Sequence, residues 1–200
     1  MHSIFQRKEK GMLIKLDIVN AFDRVKLSSI YKVLRSFGFS SAFINLIKSC
    51  TDKPWIAPLV NGRPTNFFQA TRGLRLGCPL SPFLYILMVD TLSRKLTARK
   101  NDGIILGIKS ASGVYSINHT LFVDDMLLLG GALLRMARVF KEIMQYFCII
   151  SGDLINNQMS VVYGWNTYHS TIANISQILG FDVYDTWDKV KYLGLPLILG

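Results

Sequence analysis

Residues 121–129 read LFVDDMLLL, and two adjacent carboxylates, Asp124 and Asp125, stand inside this otherwise apolar, strand-like run. Like charges taken out of water repel, and an isolated buried carboxylate takes up a proton rather than stay ionised. Two arrangements relieve the conflict. Asp tolerates turn geometry, so the pair can form the tip of a hairpin; alternatively a divalent cation neutralises it, Mg²⁺ favouring carboxylate and phosphate oxygens in octahedral geometry. The two are compatible, because a turn at a sheet edge reaches solvent. A third carboxylate has the same setting: Asp17 closes the apolar run MLIKLD, residues 12–17. Carboxylates at the ends of buried strands suit a pair of metal ions about 4 Å apart, which can stabilise the attacking and leaving oxygens of a phosphoryl transfer.

Outward from these strands the chain alternates strand and helix signals. Leu27, Ile30, Tyr31, Leu34 and Phe37 recur at helical spacing up to Gly38, and Ser40 or Ser41 can cap a second helix with Phe43, Ile47 and Cys50 on one face. Trp55–Val60 and Thr65–Thr71 flank Asn61-Gly62, a pair that tolerates the positive φ of a tight hairpin. After RGLRLG (72–77), Ser81 as N-cap and Pro82 at the first helical position predict a helix whose run FLYILMV is apolar all round and buried. Strands are expected at 104–108, at 121–129 with the interruption at the acidic pair, at 161–163 and at 192–195. Amphipathic helices are expected over 136–148 and 172–179. Mixed strands with helices on one side read as α+β.

The composition narrows the partners. The 200 residues are 50% hydrophobic and carry a formal charge of +10, which excludes a disordered chain. The longest strongly apolar run, Phe83–Val89, falls far short of the roughly 20 residues of a membrane span. Charges in MHSIFQRKEKGM leave no apolar signal region, and three scattered cysteines fit neither a disulfide framework nor a zinc site. An intracellular location with free thiols is expected. Residues 1–100 hold 17 basic against 5 acidic side chains, a net of +12, whereas residues 101–200 are slightly acidic. A basic half suits a polyanion, since Lys and Arg that neutralise phosphates release counterions.

Five segments in order, KLDIVNAFDRV, RGLRLGCPLSPFLYILMVDTLSRKL, NHTLFVDDMLLL, SGDLINNQMS and YLGLPL, resemble the successive palm motifs of reverse transcriptases of plant LINE-type (non-LTR) retrotransposons. The resemblance covers essentially the whole chain. It implies a polymerase palm-like α+β domain, an antiparallel sheet with helices packed on one face and partial fingers, over residues 1–200. It further implies an RNA-directed DNA polymerase that takes an RNA template, a DNA primer and dNTPs, and that would act in the nucleus if active. By that resemblance Asp17 and Asp124 are ligands of two Mg²⁺ ions (Mn²⁺ being possible), with Asp125 as an accessory acid. Phe22 matches the aromatic steric gate against a 2′-hydroxyl. Ile18, Arg72, Gly77 and Pro79 fall at the incoming nucleotide, and Arg75 and Ser81 at the nucleic acid.

Several positions depart from the family pattern. Leu76 stands where Gln usually helps hold the nucleotide, and Met159 where Lys is a candidate acid for pyrophosphate. No charged side chain lies within 154–181 to replace that Lys. Val123 stands for the usual Ala, a change of little expected consequence. Most of the fingers and the thumb are expected to be missing, so part of the apolar excess should be exposed interface. A degenerate, inactive fragment retaining at most nucleic-acid binding is the alternative these departures raise.

Overall fold

A computed structural model describes residues 10–109, 113–123, 125–184, 191–193 and 195–196. Strand β1 (Gly11–Leu16) is apolar at every position but Lys15, as befits the centre of a sheet. It pairs antiparallel with β7 (Asp125–Gly131) on one side and β8 (Val161–Trp165) on the other. β6 (His119–Phe122) extends the sheet beyond β7, and β9 (Asp182–Val183) beyond β8, giving the order β6-β7-β1-β8-β9. The α+β architecture is as expected, with one correction: β9, absent from the sequence reading, runs parallel to β8.

Alternation along β1 separates two faces. Met12, Ile14 and Leu16 join Met126, Leu128 and Val162 in the main core under the helices. Leu13 joins Leu127, Leu129, Val161, Tyr163 and Trp165 in a smaller cluster on the opposite face. The helices are α1 (Ala21–Arg24), α2 (Leu27–Ser36), α3 (Ser41–Thr51), α4 (Leu80–Asn101), α5 (Leu134–Ser151) and α6 (His169–Leu179). Helix α5 packs the face the periodicity predicts, with Met136, Ala137, Phe140, Ile143, Met144 and Phe147 buried.

Between α3 and α4 the chain runs out as a hairpin arm. Its outer rungs are β3 (Leu59–Val60) and β4 (Arg63–Pro64), its inner ones β2 (Trp55–Ile56) and β5 (Phe68–Gln69). Asn61 (φ 50°) and Gly62 (φ 76°) supply the two left-handed residues at the tip that the Asn-Gly pair foretold. Trp55, Leu59, Val60, Phe67 and Phe68 are all exposed, so the apolar excess does surface here, as it does at Phe83 and Ile86.

Other expectations need correcting. On α3 the buried pair is Ile44 and Ile47, whereas Phe43 and Cys50 face outward; Ser40 is the cap, accepting from the Phe43 amide at 3.2 Å. Helix α4 buries Leu84, Tyr85, Met88 and Val89 but exposes Phe83 and Ile86, because only one side meets α1, α2 and α5. No strand forms over 104–108; one isolated bridge joins Ile108 to Ile117. The expected strand over 192–195 is instead two short strands, β10 (Lys191–Tyr192) and β11 (Leu195–Pro196), paired antiparallel. The expected strand 121–129 is the hairpin β6–β7, with Phe122 opposite Asp125. Val123 at its turn has φ 54°, a costly conformation for a β-branched residue, so the change from Ala does carry a consequence.

Candidate active site

Asp17 follows β1 directly, and the β1–β7 register ends with Leu16 opposite Met126. One step further, Asp17 stands across from Asp125, the first residue of β7. Residues opposite each other in an antiparallel pair project to the same side. By alternation that side is the one carrying Leu13 and Leu127, away from the helices, and both aspartates are half-buried there. Asp124 lies outside the described residues, and among the described residues no group of three or more His, Cys, Asp or Glu gathers. Oxygen donors at adjacent strand ends, on a face that carries no helix among the described residues, fit a hard divalent cation.

The backbone around Asp17 is fixed by the segment after α5. The Asp17 amide donates to Ser160 Oγ at 3.1 Å, and its carbonyl accepts from the Asn156 amide at 2.9 Å. The Val19 amide donates to the Leu154 carbonyl, and Ile18 bridges Ile155. Ile18, expected at the nucleotide, therefore turns its side chain into the main core, where it is 6% exposed. The alternation that aims Asp17 outward sends Ile18 inward.

Asn20, in the left-handed region, turns the chain into α1, and Phe22 on that helix stacks on Tyr85 at 4.9 Å between ring centroids. Phe22, Arg75, Leu76, Gly77, Cys78, Pro79, Ser81 and Pro82 line one cavity of about 280 Å³. Phe22, Gly77, Pro79, Arg75 and Ser81 are thus brought together. Arg72 is exposed just before this loop and does not line the cavity. Ser81 is buried, and its hydroxyl donates to the Arg75 carbonyl at 2.7 Å. It shapes the loop from within α4, which begins at Leu80, and does not cap the helix.

The loop is seated on α1 by backbone bonds: Gly73 N–H to the Val25 carbonyl (2.9 Å) and Leu74 N–H to the Phe22 carbonyl (2.6 Å). Gly73 has φ 91°, and a Cβ there would stand 2.7 Å from the Asp23 carbonyl oxygen. Gly73→Ala is therefore expected to cost roughly 2 kcal/mol, read from the urea midpoint, because strain and backbone clash add.

The Cys78 thiol is held below its ordinary value, chiefly by the Leu80 backbone N–H, while burial raises that of Cys148. Iodoacetamide at pH 8 is expected to modify Cys78 well before Cys148, as read by peptide mass mapping; equal rates would contradict this ordering.

The sequence reading did not single out Tyr85 or Asp153. Tyr85 was one letter in an apolar helix; Asp153 is 1% exposed, between Gly152 and Leu154. Burial raises its carboxyl to about 6, against the pull of the Ser151 hydroxyl, the Arg24 charge and the Tyr85 hydroxyl. A lone acid in a stretch that is otherwise uncharged up to residue 181 was the available signal.

The family model described as "Reverse transcriptase (RNA-dependent DNA polymerase)" matches residues 1–197. The chain is 31% identical over 131 residues to a Pol polyprotein from the type-1 retrotransposable element R2 of Popillia japonica, covering 64% of this chain and 21% of that protein. It is 25% identical over 190 residues to the R2DM Pol polyprotein of Drosophila melanogaster, covering 92% and 17%. The chain thus spans about a fifth of the length of these relatives. Among solved structures, apo telomerase from Candida tropicalis, truncated from its C-terminal domain, superposes with a TM-score of 0.59 at 13% identity, covering 80% of this chain and 32% of that one. This likeness supports the palm-like fold, and the family match together with the R2 relatives identifies the chain as a member of the reverse transcriptase (RNA-dependent DNA polymerase) family, related to those of non-LTR retrotransposons.

Proposed function

We propose that this chain is the palm, with part of the fingers, of an RNA-directed DNA polymerase from a plant LINE-type element, extending a DNA primer with dNTPs on an RNA template. The observation that carries this reading is the placement of Asp17 and Asp125 across from each other at the ends of β1 and β7. The plant assignment draws further support from 32% identity over 105 residues to the Arabidopsis thaliana mitochondrial protein AtMg01250, covering 52% of this chain and 85% of that one.

Asp17 and Asp124, assisted by Asp125, would hold two Mg²⁺ ions, which supply charge neutralisation at the attacking primer oxygen and the departing pyrophosphate. The protein's own work is positioning and electrostatics. Phe22, at the wall of the cavity, excludes a 2′-hydroxyl from the sugar's place. Gly77 and Pro79 offer backbone for close approach, and Arg72 and Arg75 offer charge to phosphates or template. The basic first half faces template and primer, and the remaining fingers and thumb belong to the longer polyprotein.

The test is primer extension on an RNA template with purified chain, with and without Mg²⁺. Extension that needs both the metal and the template supports the reading. Background incorporation alone overturns it for the isolated chain; recovery in a Leu76→Gln, Met159→Lys double variant would then trace the loss to those two side chains.

A further inference from the structure

The segment after α5 runs beneath the short helix that carries Phe22. Before α1, the Val19 amide donates to the Leu154 carbonyl at 2.9 Å; after it, the Lys26 amide donates to the Ser151 carbonyl at 2.6 Å. The fit between them is close, since a Cβ on Gly152 would stand 3.0 Å from the Arg24 carbonyl oxygen. Asp153 lies between these two attachments, and neither of its carboxylate oxygens makes a close hydrogen bond among the described residues. Arg24 at the end of α1 also has its Nε buried without a hydrogen bond among the described residues. Tyr85, fully buried on α4, completes the surroundings and stacks on Phe22. The charged and titratable groups acting on Asp153 are thus Arg24 from α1 and Tyr85 from α4, and Cys148 of α5 feels its charge.

Helix α1 has little of its own to hold it. It is four residues long, and its N-cap residue Asn20 makes no side-chain capping bond. A single turn is far below the length at which a helix is stable alone. Its place must come from what it touches, and the Asp153 carboxylate interacts with Arg24 from the segment below.

We propose that Asp153 is a positioning residue for the nucleotide gate: its buried carboxylate attracts Arg24 and braces Tyr85, so that the Phe22 ring keeps one place at the cavity wall. The proposal rests on the reading of Phe22 as the gate. Asp153 touches no substrate; it acts through α1 and through the Tyr85 ring.

Hydrogen exchange and kinetics test it on the full chain, with Asp153→Leu, Asp153→Asn and Tyr85→Phe. In Asp153→Leu the amides of Asp23, Arg24 and Leu74, which bond within α1 or onto it, are expected to exchange about 10-fold faster, with β1 and β7 unchanged. Asp153→Asn, which keeps a polar group beside Tyr85, is expected to fall between Leu and wild type. In primer extension the KM for dNTP rises about 10-fold in Asp153→Leu, while kcat stays within about 2-fold. Unchanged α1 exchange in a folded Leu variant overturns the proposal. Faster exchange with an unmoved KM overturns its link to the gate. Faster exchange in a chain whose wild type extends no primer supports the hold on α1 and instead overturns the polymerase reading. If Asp153→Leu fails to fold, Tyr85→Phe keeps the ring stack and removes only the hydroxyl; normal α1 exchange and KM there overturn the bracing role of Tyr85.

Discussion

Asp17→Asn is expected to lower primer extension about a thousandfold, equivalent to about 4 kcal/mol of transition-state stabilisation, while the fold stays intact. The two halves of this expectation come from different atoms. The bonds that fix residue 17 use its backbone, the amide to Ser160 Oγ and the carbonyl from Asn156 N–H, and Asn keeps both. The side chain stands half-buried on the face opposite the main core. Asn matches Asp in shape but lacks the charge that would hold a hard cation, so chemistry is lost and packing is not. Asp125→Asn should cost much less, about 10-fold, if Asp125 is accessory. Steady-state incorporation on a primed RNA template, with circular dichroism as the fold control, reads both variants. Comparable losses in the two would remove the distinction between ligand and accessory acid; a fully active Asp17→Asn would remove the metal-site assignment.

What the sequence could reveal was local. Asn61-Gly62 foretold its turn because a two-residue hairpin needs positive φ at both positions, and the pair says so without its neighbours. Helix α5 was legible because seven apolar residues repeat at helical spacing and all but Cys148 lie buried. Asp17 was legible as an acid ending an apolar strand. The misreadings were long-range. Ser81 looked like a cap, yet its hydroxyl goes to the carbonyl of Arg75, within a loop whose path is set by backbone bonds to α1. FLYILMV looked buried all round, but burial depends on how many neighbours α4 has, and no periodicity reports that. The burial of Asp153 was hidden for the same reason: the groups around it, Arg24 of α1 and Tyr85 of α4, lie more than 60 residues away in the chain.

That buried carboxylate yields a pH dependence of unusual sign. Acids paired in a folded protein ordinarily add stability as pH rises; Asp153 should do the reverse. Its carboxyl is raised from 3.8 to about 6 in the folded chain. Below about pH 4 it is protonated in both folded and unfolded chains and costs nothing. Between about 4 and 6 the unfolded chain releases the proton while the folded chain still holds it, so stability falls as pH rises, and above 6 the full cost persists. The shift corresponds to a penalty on the order of 3 kcal/mol at neutral pH. Asp153→Asn removes the titration and keeps the shape. It is therefore expected to be more stable than wild type by about that amount at pH 7.5, and nearly equal to it at pH 4. Urea midpoints at pH 4, 5, 6 and 7.5 measure the difference, in which the other titrating groups cancel. A constant difference across this range, or none at pH 7.5, would sink the argument. The same substitution is expected to loosen α1, since Arg24 loses the charge beneath it. A chain that gains global stability while its gate helix exchanges faster would place the cost and the benefit of Asp153 on one carboxylate, as a trade of stability for local order requires.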